Sequence, residues 1–375
     1  MKSIPTSLRG RIGVLAATAA VTALTLAGCS SSTPEATTTG EPTGATEPTV
    51  ESTLEPGSIK LGIAYWDTIT YAFQLMLKGS EAVAANDPAI ALESTAPDSG
   101  DPSKLLPLFQ AVAQTQTDGV VLQALAADPF YRPVLDTTES GTPVIAIDAP
   151  PPADAGVDLF ITNDNTELGR MLARELLKDL DPESTGQIVI GTNGPAVPPL
   201  MARVDGMIEV INDEFPNVEV VGPISTYGTA GSPQENYDAW DGIYRQYPDA
   251  LAYMAPGAQD AVSLGQVQSK NGVELLAGGM DLEPGSLDAV KSGAVAVLVS
   301  PEHWLKGYIA TKILAMHAED GFEIPVGTWD TGGLVVTADN IDEVLARQAS
   351  DDSMREALAP VGDEQIANYQ DYITE

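Results

Sequence analysis

The sequence predicts an α/β protein built from two successive Rossmann-like units, each a parallel sheet covered by helices on both faces. Two observations carry this. Between about residues 58 and 299, short β-rich runs alternate with longer segments whose apolar residues recur at helical spacing. That alternation is the pattern of parallel sheets buried on both sides. The chain of 375 residues, 43% hydrophobic, is also long enough for two domains with real cores.

The elements follow in order. Residues 59–66 form a short apolar run between turn-prone flanks and read as a strand. Residues 71–86 read as a helix with Phe73, Met76, Leu77, Ser80 and Ala84 on one face, and 89–95 as a strand. Asp101-Pro102-Ser103 supplies start signals for a helix to about 116. Pro107 falls near its first turn, where a missing N–H costs least. Strand 119–123 follows, and then Asp128-Pro129, an N-cap with proline at the first helical position. Runs 143–147 and 159–162 read as strands.

The second half repeats the theme. Leu168, Leu172, Leu176 and Leu180 line one helix face. Strands are expected at 187–191, 218–224, 250–254, 273–277 and 294–299, and helices at 199–214, 233–246, 258–269 and 284–291. A long helix at 302–318 closes the alternation.

The first 57 residues differ in kind. Lys2, Arg9 and Arg11 precede an apolar stretch at 12–26, too short and too rich in small residues for a membrane span. It ends in Leu26-Ala27-Gly28-Cys29, which resembles the bacterial lipobox. That resemblance implies cleavage before Cys29 and a lipid on its sulfur. Residues 1–28 are thus expected to be a lipoprotein signal peptide. Residues 29–57, rich in Ser, Thr, Pro, Glu and Gly, are expected to be a disordered, lipid-anchored spacer, because they bury too little apolar surface to offset ordering entropy. Cys29 is the one cysteine, so an intrachain disulfide is excluded.

Composition narrows the partners. Lys and Arg total 18 against 53 Asp and Glu, a formal net charge of −35. Nucleic acid binding needs cations to neutralise phosphates, and this balance argues against it.

In open parallel sheets, ligands sit beyond the carboxyl ends of the strands. The residues there are Trp66, Asp67, Tyr71 and Phe73 after the first strand, Gln123 after the third and Asp148 after the fourth. Asn163-Asp164-Asn165 follow the fifth. In the second half they are Arg203, Gln259, Asp260 and Met280-Asp281. Such groups suit a neutral polyol: carboxylates accept from hydroxyls, amides donate and accept, guanidinium donates in a fork, and rings cover the apolar face of a sugar. Each also has a plainer reading. Asp148 and Asp164 suit caps or turns, Arg203 a surface ion pair, Phe73 the core, and Trp66 packing or the cleft rim. It is their convergence at one edge of two sheets that points to a ligand site.

Four stretches then resemble the sugar-binding proteins of the ribose-binding, type I periplasmic class, over about residues 59–321. They are the helix opening at Phe73–Gly79 and the run from Asp118-Gly119-Val120-Val121-Leu122 through Gly141-Thr142-Pro143-Val144-Ile145 to Asp148. Asn163-Asp164-Asn165 with Gly169-Arg170 is the third. The series Tyr247-Pro248-Asp249-Ala250, Ser263-Leu264-Gly265 and Gly279-Met280-Asp281 is the fourth. The resemblance implies the type I periplasmic-binding-protein fold, two lobes joined by three crossovers that close on a ligand. It divides the chain into an N-terminal lobe at 58–162 plus about 301–330 and a C-terminal lobe at 163–300 plus about 331–375. Pocket positions fall on Phe73, Gln123, Asp148, Asn163, Arg203, Gln259 and Asp281. The sequence departs from the family's habit at Ala149, where arginine is common, and at Gln259, where asparagine is. Met280 stands where an aromatic is common, and Pro301-Glu302-His303 where a glutamine is.

The resulting expectation is an extracytoplasmic, monomeric, lipid-anchored binding protein that hands a sugar to the permease of an ABC importer and needs no cofactor or metal. A sensor subunit of the same fold is the alternative. A carbohydrate-acting enzyme is the weaker one: the sequence has no Gly-x-Ser-x-Gly elbow, no Gly-Lys phosphate loop and no His-x-x-x-His pair. Its two histidines, His303 and His317, read as ordinary residues of one helix.

Overall fold

The computed structural model describes residues 54–195, 197–226 and 232–374. Cys29 and residues 1–53, on which the expected signal peptide and most of the expected spacer fall, lie outside the described residues.

The first sheet grows from β1 (Ile59–Ala64), α1 (Tyr71–Asn86), β2 (Ile90–Thr95), α2 (Pro102–Thr115), β3 (Gly119–Leu122), α3 (Tyr131–Glu139), β4 (Val144–Ile147) and β5 (Leu159–Thr162). The second grows from α4 (Asn165–Leu177), β6 (Gly186–Thr192), α5 (Pro198–Glu214), β7 (Val218–Ser225), α6 (Pro233–Gln246), β8 (Ala252–Met254), α7 (Ala258–Asn271), β9 (Ala277–Met280), α8 (Pro284–Lys291) and β10 (Val297–Ser300). The chain continues as α9 (His303–Asp320), β11 (Gly327–Asp330), β12 (Leu334–Val336), α10 (Ile341–Arg347), α11 (Asp351–Ala367) and β13 (Ile373–Thr374).

Strand order is β13-β11-β5-β4-β3-β1-β2 in one sheet and β12-β10-β9-β8-β6-β7 in the other. Every pairing is parallel except the edge pairs β11–β13 and β10–β12. Local signals act where the sequence places them. Asp101 caps α2, its Oδ1 accepting from Ser103 N at 2.8 Å, and Asp164 caps α4 by accepting from Glu167 N at 2.9 Å. Asp128-Pro129 instead opens a 3₁₀ turn, Asp128–Phe130, ahead of α3.

Two expectations shift. The strand expected at 273–277 lies at Ala277–Met280, and so includes Gly278 and Gly279. Glycine disfavours strands, which hides this one in the sequence. Here packing requires it: a Cβ on Gly279 would meet the Ala261 Cβ at 2.8 Å.

The tail also divides differently. The resemblance places about 331–375 in the second lobe. In the structure β12 and α10 do belong there, with Ile341 and Val344 against Leu282, Leu287 and Val336. Helix α11 returns, burying Met354, Leu358 and Ile366 in the core of the first lobe, and β13 pairs with β11. Besides the crossovers at 163–164, 301–302 and 331–333, the chain therefore passes between the lobes a fourth time at 348–350. Trp329, fully buried on β11, explains the return: α11 brings Gln365 to its indole N–H, and Tyr372 stacks on its ring.

Each lobe presses one helix pair together through facing glycines. A Cβ on Gly307 of α9 would lie 1.8 Å from Met76 O of α1, and one on Gly206 of α5 would lie 1.9 Å from Thr166 O of α4. Only a hydrogen fits, so the backbones touch. These contacts set the depth at which α9 and α5 carry Lys306, His303 and Arg203 toward the cleft. Among the described residues, no helix is long and apolar enough to cross a membrane.

Candidate functional site

A cavity of about 360 Å³ opens between the carboxyl ends of the two sheets. Trp66, Asp67, Tyr71, Phe73, Asp148, Arg203, Gln259 and Asp281, eight of the residues selected from the sequence, line it.

The two carboxylates arrive in the same way. Asp148 follows β4 and Asp281 follows β9, and both take the left-handed conformation, with φ of 68° and 66°. Non-glycine residues seldom do so, and aspartate tolerates it better than most. The turn directs each side chain off its strand end into the space between the lobes.

Gln123 and Asn163 lie behind the wall rather than on it. Gln123 is fully buried. Its Oε1 accepts from Trp66 N at 2.7 Å and its Nε2 donates to Asp148 Oδ2 at 3.3 Å. It orients two wall residues. Asn163 sits in the first crossover. Its Nδ2 lies 3.1 Å from Pro301 O, 2.9 Å from Thr331 Oγ1 and 2.6 Å from Gly332 O. One amide thus ties the crossovers at 163–164, 301–302 and 331–333.

Helix α9 supplies what the sequence reading missed. Lys306, 1% exposed, donates to Asp148 Oδ1 at 2.7 Å. His303, expected to be an ordinary helix residue, lines the cavity with Nε2 2.9 Å from Asp281 Oδ1 and Nδ1 3.3 Å from Lys306 Nζ. The available signal was a lysine and a histidine three apart, one helical turn, on the first turn of a helix whose following residues are mostly apolar and buried through Ala315.

Where the resemblance leads one to expect a cation directly after Asp148, the chain has Ala149, and the lysine beside Asp148 is Lys306 of α9. At the second crossover, Glu302 pairs with Arg347 at 2.9 and 3.0 Å, and the next residue, His303, lines the cavity. Met280 is fully buried in the core of the second lobe, so it covers no ligand face.

Burial by itself would raise the Asp148 carboxyl, but Lys306 beside it, with His303 and Arg203, holds it down at about 2. Asp281 is likewise below the usual range: burial opposes ionisation, and the His303 hydrogen bond and Arg203, 3.8 Å away, outweigh it. Burial pushes His303 down, and Lys306 adds to that. Burial also lowers Lys306, against the pull of Asp148. The floor thus brings together two carboxylates, a lysine, an arginine and an imidazole.

Arg203 is fixed by Nε donating to Asn165 Oδ1 at 2.9 Å and Nη1 to Pro256 O at 2.9 Å. Asn193 contributes a buried Oδ1 with no partner among the described residues. Trp66, Tyr71, Phe73, Leu125, Val197 and Leu200 supply apolar and aromatic wall. This is a charged, polar floor under an aromatic and apolar lining. Among the described residues, no cluster of three or more His, Cys, Asp or Glu is arranged to hold a metal ion.

Fold and cleft together define a two-lobed binding protein of the type I periplasmic class. The family described as the periplasmic binding protein domain matches residues 61–321, and the chain belongs to it. Its members bind solutes and do not transform them.

A curated relative is the xylose/arabinose-binding protein XylF of Sulfolobus acidocaldarius, 21% identical over 274 residues. The match covers 67% of this chain, and the chain spans 64% of that relative's length. Two solved structures share the fold. An ABC transporter solute binding protein from Burkholderia graminis, in complex with D-arabinose, superposes with a TM-score of 0.68 at 18% identity, covering 76% of this chain and 98% of that one. The periplasmic ribose ABC transporter from Conexibacter woesei gives 0.66 at 22%, covering 78% and 96%.

Proposed function

We propose that this chain is an extracytoplasmic solute-binding lipoprotein that captures a monosaccharide and delivers it to the permease of an ABC importer. The observation that carries the reading is the convergence of Asp148 and Asp281, one from each sheet, on one cavity. A ligand that touches both gains most when the lobes are together, so binding shifts the population toward the closed form. The permease distinguishes that form from the open one. Ligand class is supported by the charged, polar floor, by the aromatic lining and by the sugars named for the relatives. The anchor is supported by Leu26-Ala27-Gly28-Cys29. The protein acts as a monomer, tethered through lipidated Cys29 on the spacer.

Isothermal titration of the chain from Ser30 onward tests this, using D-arabinose, L-arabinose, D-xylose, D-ribose, D-glucose and D-galactose. The expected result is one-to-one binding of at least one of them, and loss of its uptake in a strain lacking the protein. Silence toward all six, or unchanged uptake of the sugar that binds, overturns the assignment.

A further inference from the structure

The floor of the cleft forms one continuous chain of contacts. Asp148 meets Lys306, Lys306 meets His303, His303 meets Asp281, and Asp281 faces Arg203. Asp148, His303 and Lys306 belong to the first lobe, Asp281 and Arg203 to the second. A single tautomer satisfies the middle of the chain: Nε2–H donates to Asp281, and the Nδ1 lone pair accepts from the Lys306 ammonium. With the imidazole neutral, two negative and two positive charges cancel. Asp67, also on the wall, is engaged as a cap, accepting from Ile69 N and from Thr70 N and Oγ1. Glu283 lines the cavity beside Asp281.

Along this chain each charge already has its partner before any ligand arrives; Asp67 and Glu283 are the further carboxylates on the wall. A neutral hydroxyl adds hydrogen bonds to groups whose ionic partners are already in place. A carboxylate finds Lys306 and Arg203 already paired, an ammonium finds Asp148 and Asp281 already paired, and burying a charge without a free partner is costly.

We propose that Lys306 and His303 are positioning residues which, by tying Asp148 to Asp281, make the cleft select an uncharged sugar over its amino-sugar and uronic-acid analogues; this rests on the sugar-capture reading above. Lys306 satisfies the Asp148 charge from behind. Removing it leaves a vacancy for a cation that a ligand can fill. Neutralising Asp281 does the converse and leaves Arg203 without its carboxylate.

The test is isothermal titration in two configurational series. D-xylose and D-glucose are compared with D-glucosamine and D-glucuronate, and L-arabinose and D-galactose with D-galactosamine and D-galacturonate. The wild type is expected to bind the best neutral sugar at least tenfold more tightly than either charged analogue. In Lys306→Met, the ratio of amino-sugar to neutral-sugar Kd is expected to fall at least tenfold. In Asp281→Asn, the uronate ratio is expected to fall at least tenfold. Apo melting curves establish that each variant is folded, and if Lys306→Met is not, Asp281→Asn decides alone. A role that is only structural weakens all three ligand types together; ratios unchanged from the wild type overturn the proposal while sugar capture stands. A wild type that binds no neutral sugar overturns sugar capture, and the proposal with it.

Discussion

His303 Nε2 lies 2.9 Å from Asp281 Oδ1, so the first turn of a helix in one lobe is hydrogen-bonded to the strand end of the other. The contact joins the lobes at the base of the cleft, beneath the place a ligand would occupy. Because it crosses the line along which the lobes separate, its energetics belong to closure.

That position gives ligand binding a pH dependence. In the bridged form burial and Lys306 hold the imidazole below its ordinary value. In an opened cleft it meets water, and burial no longer disfavours its charged form. The closed form thus binds fewer protons. Its advantage is fully present above the open-form pKa and is lost as pH falls below it. Sugar affinity should weaken between pH 7.5 and pH 5, read by isothermal titration. His303→Gln, which keeps a donor for Asp281, should flatten that slope. An equal slope in the variant contradicts the assignment.

Asp148 affects stability over a more acid range. Its folded value is about 2, below the unfolded value of about 3.9. The stabilisation it gives is therefore present above pH 4 and lost as pH falls through the folded pKa. Lys306→Met removes one partner of this buried pair, which should cost about 3–5 kcal/mol in urea unfolding at pH 7. Combining it with Asp148→Asn should recover part of that loss. A double variant no more stable than the single one contradicts the pairing.

The glycine contacts predict opposite effects of one substitution. Gly206→Ala places a Cβ 1.9 Å from Thr166 O. Forcing α5 from α4 should destabilise by about 1–3 kcal/mol and weaken ligand binding, because Arg203 rides on α5. Gly242→Ala in α6, with nothing within 4 Å of the added carbon, should stabilise by about 0.5–1 kcal/mol. Chemical denaturation of both variants checks the pair.

Asn163 tests the hinge apart from the pocket. Asn163→Ala removes a donor shared by Pro301 O, Thr331 Oγ1 and Gly332 O. The cost should be about 1–3 kcal/mol, since buried acceptors are left unpaired. Small-angle scattering of the ligand-free variant should show a wider spread of lobe separation than the wild type. An unchanged profile means the amide does not restrain the crossovers.

The fold was legible because it rests on periodicity, and alternating elements from Ile59 to Ser300 leave a regular signature. Strand β9 was misplaced because its glycines carry a packing requirement, not a propensity. The return of α11 was invisible for a related reason: what draws it back is Trp329, whose indole meets Gln365, and the first-lobe core, partners distant from its own sequence. In the site, the strand-end rule found the wall residues, because position after a strand is a local property. It could not tell Gln123, which faces inward and positions its neighbours, from Asp148, which faces the cavity. It missed Lys306 and His303 because they enter from the start of a helix, and no rule about strand ends looks there.

The central claim is that carboxylates from both lobes grip one ligand. Titrating the tightest-binding monosaccharide into wild type, Asp148→Asn and Asp281→Asn tests it most directly. The account predicts one-to-one binding in the wild type and at least a hundredfold weaker binding in each folded variant. Wild-type affinity retained in either variant would contradict it.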